Sequence, residues 1–294
     1  MKILSLILQD PARPVFSVEF FPPKDEAGTE QLLEAVDRLS AVEPDFVSVT
    51  YGANGSSRDR TIDVTKRLAA RTGVTTMAHL TCVDQPVAQV TDVIDHYAEN
   101  GLENIFAIRG DMPGGPTIPW QAHPDGLANA TRLVELIHER GDFCIGVAAF
   151  PDPHPSRHDP GLDARILKDK WEAGAGFAIT QLFFRPGAYA ELVDRVRSIG
   201  CDIPVIPGIM PITTVSQVAR FAEMSGAVIP APLLARLDAV AGDPDAVRET
   251  GVDIATELAL ELVEAGAPGL HFFTQNRSRA TEEIWARLLG SGAV

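Results

Sequence analysis

Short apolar runs alternate with segments of helical periodicity along almost the whole chain. The runs are rich in Val, Ile and Phe, and they span 15–21, 45–51, 74–81, 103–109, 143–149, 177–183, 203–208 and 269–273. A short apolar run bounded by turn residues is typical of a strand that is buried on both faces. The pattern therefore predicts eight buried strands.

Between these runs, apolar residues recur at a spacing of three or four, which predicts helices. The predicted helices span 27–42, 61–71, 86–100, 127–140, 162–173, 188–199, a tract over 214–265 broken at Pro230, Pro232 and 242–244, and 279–289. Because parallel strands need crossover connections, the alternation predicts an α/β fold, a (β/α)8 TIM barrel with extra helices near 231–240 before the last strand. A doubly wound sheet is disfavoured, since six strands would suffice for it and no G-x-G-x-x-G follows a strand.

Composition narrows the class of protein. The 294 residues are 45% hydrophobic with a net charge of −15, which argues against nucleic-acid binding but not against a small anion in a local basic pocket. Cys82, Cys144 and Cys201 lie far apart, so no disulfide and no metal site is predicted, and a cytoplasmic location is expected.

No low-complexity linker divides the chain, so residues 1–294 are predicted to form one catalytic domain. The run from Leu4 to Leu8 is too short for a signal peptide or a membrane span and predicts a short packed helix.

The first predicted strand carries a carboxylate on a buried face. In the segment VFSVEFFPPK, Glu19 shares a face with Ser17, close to the point where Pro22 and Pro23 end the strand. A buried carboxylate is costly unless it is paired, protonated or functional. An ion pair with a nearby arginine and a catalytic acid are both compatible with this segment alone.

Polar residues also follow the other predicted strands at their C-terminal ends, where a TIM barrel carries its site. They are Thr50, His79, Thr81, Arg109, Asp111, Gln181, Thr274, Asn276 and Arg277. Each has a structural explanation by itself, such as a core histidine or an ion pair at the rim. Their convergence on one mouth predicts a binding pocket. Gly110 would let backbone approach a planar cofactor, and the proline-rich loop 150–155 is expected to lie over the site.

Eight segments, in order, carry a resemblance to a known family: VEFFPPK, VSVTYGAN-x-x-x-RDRT, AHLTC, IRGDMP, FPDPHP, AITQLFF, VIPGIMP and HFFTQNR. Together they resemble the bacterial, single-barrel methylenetetrahydrofolate reductases over nearly the whole chain. The resemblance implies a barrel that holds FAD and takes a hydride from NADH or NADPH. The hydride would then pass, by a ping-pong mechanism, to 5,10-methylenetetrahydrofolate to give 5-methyltetrahydrofolate. The resemblance also implies a homo-oligomer that serves one-carbon metabolism and methionine biosynthesis.

The resemblance assigns roles to residues of the mouth. Opening the five-membered ring of the folate requires protonation at nitrogen to release an iminium, so an acid with a raised pKa is expected, and Glu19 matches that acid. Asp111 matches an acidic residue beside flavin and folate whose charge would favour the iminium. Besides Glu19, Gln181 and Arg277 match substrate-binding positions. The positions that match flavin contacts are Thr50, His79, Arg109, Gly110, Asp111, Phe150, His154, Asp163 and Lys170.

The chain departs from the family pattern within the predicted cofactor site. Phe150 stands where the family often has Tyr, and Val215 stands where an aromatic residue sandwiches nicotinamide or pterin. In the helix that helps hold the flavin phosphates, Ile166 and Asp169 replace amide and basic residues. A carboxylate beside a diphosphate is repulsive, so weak FAD binding is expected.

Three alternatives remain open beside this reaction. The first is flavin-independent reduction by NADH directly, and the second is another flavin or folate reaction in a specialised pathway. The third is a non-catalytic folate- or flavin-binding regulatory barrel. The set Glu19, Asp111 and Gln181 favours an enzyme, because a binding protein would not require it. NADH and NADPH remain equal candidates for the hydride donor.

Overall fold

Parallel strands form the centre of the molecule. The computed structural model describes residues 1–10, 13–51, 58–292 and 294, so residues 52–57 of the second family-like segment lie outside the description. The strands are β1 (Val15–Phe20), β2 (Phe46–Val49), β3 (Thr75–Thr81), β4 (Asn104–Ile108), β5 (Cys144–Ala149), β6 (Phe177–Thr180), β7 (Val205–Ile206), β8 (Gly208–Ile209) and β9 (Gly269–Phe273). Their order in the sheet is β7-β6-β5-β4-β3-β2-β1-β9-β8.

The barrel closes through one short segment that Pro207 divides. β7 pairs with β6 and β8 pairs with β9, both in parallel, so residues 205–209 join the two edges of the sheet. Proline has no amide hydrogen, but its carbonyl oxygen accepts from the His271 amide at 3.0 Å. The Gly208 amide donates to the Thr180 hydroxyl at 2.8 Å. The predicted (β/α)8 barrel is confirmed, with its seventh strand present as two short strands.

Helices surround this barrel in the predicted order. They are α1 (Ile3–Gln9), α2 (Glu26–Ser40), α3 (Arg58–Thr72), α4 (Val87–Glu99), α5 (Ala130–Arg140), α6 (Pro160–Glu172), α7 (Pro186–Ser198), α8 (Val215–Ser225), α9 (Ala231–Asp238), α10 (Pro244–Glu264) and α11 (Arg279–Ser291). α9 is the predicted insertion before the last strand. Within the described ranges, none of the helices is long and apolar enough to cross a membrane.

The short helix α1 closes the barrel end that is opposite the predicted site. Its Ile3 and Ile7 are buried in one cluster with Phe46 and Phe177. The Ile3 amide donates to the Asn104 side chain at 2.9 Å, which fixes the helix against β4. The short packed helix predicted from the N-terminal apolar run is therefore confirmed.

The two faces of β1 have different surroundings. Phe16, Val18 and Phe20 pack in the large cluster between strands and helices, whereas Val15 lies in the interior cluster. Successive strand side chains alternate faces, so Glu19 points into the barrel on the same side as Val15. The strand thus delivers its carboxylate to the open, C-terminal end of the barrel.

Candidate active site

A central cavity of about 580 Å³ opens at the C-terminal ends of the strands. Five of the predicted site residues line it together: Glu19, Thr50, His79, Asp111 and Gln181. They come from segments far apart in the chain, and the parallel order of the strands brings them to one mouth.

A side cavity of about 310 Å³ adjoins the central cavity. It is lined by the predicted cofactor residues Arg109, Gly110, Phe150, His154 and Lys170. Four residues line both cavities, and they are Ile108, Asp111, Ala148 and Gln181. A ligand in one cavity would therefore meet a ligand in the other beside Asp111 and Gln181.

Glu19 lies between two buried histidines. Its Oε2 is 3.5 Å from Nε2 of His79 and 3.7 Å from Nε2 of His271. β1 pairs with β9 so that Ser17 lies opposite His271, and the Ser17 hydroxyl is 2.8 Å from Nδ1 of that ring. The side chains of these histidines are 6% and 1% exposed, so water has little access to either ring.

This environment sets the charge of the acid. Burial raises the pKa of the Glu19 carboxyl, but the adjacent rings of His271 and His79 and the nearby Ser48 hydroxyl outweigh burial and bring the pKa below its usual value. The raised pKa expected from the sequence is therefore wrong for this arrangement. Burial lowers the pKa of His79 to about 4, so its ring is neutral at neutral pH.

The turn after β4 holds Arg109 and Asp111 at the boundary of the two cavities. Arg109 Nη2 lies 3.7 Å from Asp111 Oδ1. Burial raises the pKa of the Asp111 carboxyl, and the charge of Arg109 offsets part of that rise. Gly110 has a φ of +82°, and a Cβ there would lie 2.5 Å from the Val83 side chain. Glycine is thus required by the backbone conformation and by Val83, rather than by the approach of a ligand alone.

Three cationic side chains line the side cavity. Arg109 and Lys170 were predicted, whereas Arg157 was not. Burial lowers the pKa of Lys170 to about 8, and nearby Arg157 adds to that effect. Lys170 Nζ donates to the Ala148 carbonyl at 2.8 Å, which fixes its position at the wall. An anionic ligand would relieve the mutual repulsion of these groups.

Asp163 lies outside the side cavity and accepts hydrogen bonds from two of its lining residues. Its carboxylate accepts from Nε of Arg157 at 2.6 Å and from the His154 amide at 2.8 Å. It does not line the cavity, and its predicted contact with the cofactor stays a prediction. Ile166 and Asp169 do line it, as the sequence analysis implied.

Sequence reasoning missed several residues of the mouth. His271 is the main one, and its signal was the alternation of β9, which places it on the inward face two residues before Phe273. Arg157 had no signal, because its place depends on Asp163. The predicted substrate residue Arg277 lines neither of the two cavities but a third one, which shares Phe273 with the central cavity.

The site lies at the C-terminal mouth of a closed (β/α)8 barrel, where an acid and two histidines are next to a cation-lined cavity. This arrangement defines a TIM-barrel enzyme. The family model described as methylenetetrahydrofolate reductase matches residues 6–289. The chain belongs to the methylenetetrahydrofolate reductase family.

Individual relatives agree with this assignment. The chain is 39% identical over 270 residues to 5,10-methylenetetrahydrofolate reductase of Pectobacterium carotovorum, covering 91% of this chain and 88% of that protein. It is 38% identical over 268 residues to the Escherichia coli enzyme of the same name, with the same coverage of both chains. Among solved structures, an uncharacterised Clostridium thermocellum protein that binds 5-methyl-5,6,7,8-tetrahydrofolic acid has a TM-score of 0.66 at 15% identity, over 97% of each chain. That likeness supports the barrel fold.

Proposed function

We propose that this protein reduces 5,10-methylenetetrahydrofolate to 5-methyltetrahydrofolate, with NADH or NADPH as the hydride source and FAD as the carrier in a ping-pong reaction. One observation carries the proposal. Glu19 lies in the central cavity together with Asp111 and Gln181, and these two also line the cation-lined side cavity. A folate in the first cavity and a flavin reaching in from the second would share one boundary.

The residues of the side cavity fit FAD. Arg109, Arg157 and Lys170 offer three positive charges to a diphosphate, against the two carboxylates of Asp111 and Asp169 that line the same cavity. Phe150, His154 and Gly110 complete the wall, and the other two residues that match flavin contacts, Thr50 and His79, line the central cavity. Bound FAD would supply reversible hydride transfer, which no amino-acid side chain provides.

Glu19 acts as the general acid in this proposal, so it must acquire a proton when the folate binds. Its side chain retains 19% exposure, and an apolar ring system over it would remove that contact with water. Desolvation favours the neutral carboxyl, which reverses the lowering by the histidines. Asp111 stays anionic in the reaction and stabilises the cationic iminium that ring opening creates.

Gln181 and Arg277 are proposed to bind the substrate. We further propose that residues 1–294 act as one catalytic domain, within a cytoplasmic homo-oligomer that supplies methyl groups for methionine biosynthesis. A second candidate is direct, flavin-independent reduction by NADH, and the carboxylate of Asp169 among the cations of the side cavity favours it.

The absorbance spectrum of the purified protein separates these candidates. A flavin band that bleaches on anaerobic addition of NADH and returns with methylenetetrahydrofolate is the expected result. If no flavin binds, yet NADH is oxidised when folate is present, the direct mechanism replaces the flavin relay. Absence of both activities would contradict the proposed reaction.

Replacing Glu19 with Gln tests the acid. The variant keeps the shape and loses the ionisable group, so folate reduction should fall by about 10²- to 10⁴-fold, the usual contribution of a general acid. Reduction of any bound flavin by NADH should be nearly unchanged, because that half-reaction needs no proton on folate. Equal folate turnover in wild type and variant would remove Glu19 from the mechanism.

A further inference from the structure

The segment between β4 and α5 supplies a wall of the side cavity that the proposed function leaves unused. We call this set of residues the tryptophan wall, and its members are Trp120, Asn129, Ala130 and Thr131. Trp120 is half-buried, and Asn129 is exposed at the start of α5. An aromatic ring at the edge of a cation-lined cavity is a candidate contact for a planar ligand.

Two contacts hold the indole of Trp120 in place. Its Nε1 donates to the Ala128 carbonyl at 2.8 Å. The guanidinium carbon of Arg109 lies 4.8 Å from the centre of the ring, within the range of a cation–π contact. A ring that is already fixed loses little conformational entropy when a ligand packs on it, so Trp120 is preorganised for binding.

The segment that carries Trp120 is itself anchored on the loop after β3. Pro86 and Gly126 form an isolated bridge, and the Val87 amide donates to the Asp125 carbonyl at 2.8 Å. A Cβ at Gly126 would lie 2.5 Å from the Gln85 carbonyl oxygen, so the two loops are in close contact. The tryptophan wall therefore has a defined position before any ligand binds.

The lining of the side cavity divides into three groups. One group borders the central cavity beside Asp111 and Gln181, and a second carries cations that include Arg157 and Lys170. The third group is the tryptophan wall. If the flavin ring of FAD lies at the border and its diphosphate beside the cations, the adenine ring is the part that remains for the third group.

The chemistry of the tryptophan wall suits a nucleobase. Aromatic side chains bind bases through their π faces. Asn129 is the N-cap residue of α5, and its Oδ1 accepts from the Arg132 amide at 3.1 Å. The oxygen of this side chain is thus in use, whereas its NH2 group can donate to a ring nitrogen of adenine.

We propose that Trp120 binds the adenine ring of FAD and thereby makes the side cavity select FAD over FMN. The inference rests on the proposed function, because it requires FAD in the side cavity. Trp120 contacts neither the flavin ring nor the folate in this arrangement. It therefore determines which cofactor binds and takes no part in hydride transfer.

Binding of FAD and of FMN to the flavin-free protein, measured by calorimetry, tests the proposal. FMN has the flavin ring and the first phosphate but lacks adenine. We expect the wild-type protein to bind FAD about tenfold more tightly than FMN, the usual contribution of one contact between a base and an aromatic ring. Trp120→Leu should remove most of this preference and leave FMN affinity unchanged. Trp120→Phe keeps an aromatic ring and should lose no more than about threefold in FAD affinity.

ADP gives a second readout that needs no flavin. It carries adenine and a diphosphate, and it does not absorb the emission of indole, so it quenches tryptophan fluorescence only by contact. ADP should quench the wild-type protein but not Trp120→Phe. The control is Trp171→Phe, which removes a tryptophan of α6 that lines neither the central nor the side cavity, and its quenching should match the wild type.

Equal affinity of the wild type for FAD and FMN would overturn the inference and leave the proposed flavin-dependent reaction in place. Weaker FMN binding by Trp120→Leu would overturn it as well, because the indole would then serve the flavin ring or hold Arg109 for the first phosphate.

The two Trp120 variants separate the ring from its hydrogen bond. If Trp120→Phe lost as much FAD affinity as Trp120→Leu, the bond to the Ala128 carbonyl would be the essential feature, and the proposal would be wrong. Failure of both flavins to bind would contradict the proposed flavin carrier, and the inference with it.

Discussion

Acidification should destabilise the protein through His79, by an amount that the structure fixes. Burial lowers the pKa of this ring from 6.5 to about 4. Unfolding exposes the ring and restores its ordinary pKa. Between these two pKa values, the unfolded chain therefore binds a proton at His79 that the folded chain does not bind. The resulting stabilisation is complete above pH 6.5 and is lost as the pH falls toward 4.

The loss amounts to about 1.4 kcal/mol per pH unit. Glu19 contributes in the same direction, but its lowered pKa withdraws stabilisation only below its ordinary value of 4.5. The interval from pH 6.5 to 4.5 therefore isolates histidines, and His79 should lose about 2.5 kcal/mol across it. His154 contributes in the same direction, because burial and the nearby Arg157 lower its folded-state pKa to about 3 while the unfolded ring titrates within this interval.

Urea unfolding of the wild type and of His79→Gln, at several pH values from 8 to 4.5, separates the two histidines. His154 titrates in both proteins, so its effect cancels in the difference between their unfolding free energies. That difference should shift by about 2.5 kcal/mol between pH 6.5 and 4.5 in favour of the variant. The error of extrapolating an unfolding free energy to zero urea is slightly below about 0.5 kcal/mol. A difference between the two proteins that changes by less than this amount over the pH range would therefore refute the burial argument.

Substitutions at two further positions test how the mouth is held. Asp152 is 4% exposed and accepts from Arg185 and from the Val228 amide, both at 3.0 Å, so Asp152→Ala should lower the unfolding free energy by about 2 kcal/mol. Asp152→Asn keeps an acceptor and should lose about half of that; equal losses would contradict the role of the retained acceptor. A Cβ at Gly251 would lie 2.1 Å from the Ile212 carbonyl oxygen, so Gly251→Ala should cost about 3 kcal/mol by overpacking. An unchanged melting temperature would show that α10 can move away.

Much of the fold could be predicted because its signals are local. Eight buried strands alternate with amphipathic helices, and a parallel arrangement follows from the crossover connections alone. The pleat of β1 put Glu19 on the inner face, and the strand ends put Asp111 and Gln181 at the same mouth. Each of these conclusions needs only the period of a segment and its position relative to a strand end.

The charge state of the site depends on neighbours that are distant in sequence. His271 reaches Glu19 only because β9 pairs with β1, 254 positions apart at Ser17, and the two neighbouring histidines reverse the expected direction of the pKa shift. Arg157 belongs to the side cavity only because Asp163 holds it there.

The sequence by itself therefore determined the barrel, the face of Glu19 and the mouth where the site lies. The tertiary structure decided how the barrel closes at Pro207, which side chains surround the acid, and that Arg277 lines a cavity separate from the central one. The reason is physical: periodicity along the chain reports burial, whereas a pKa or a pocket is set by groups that meet through space.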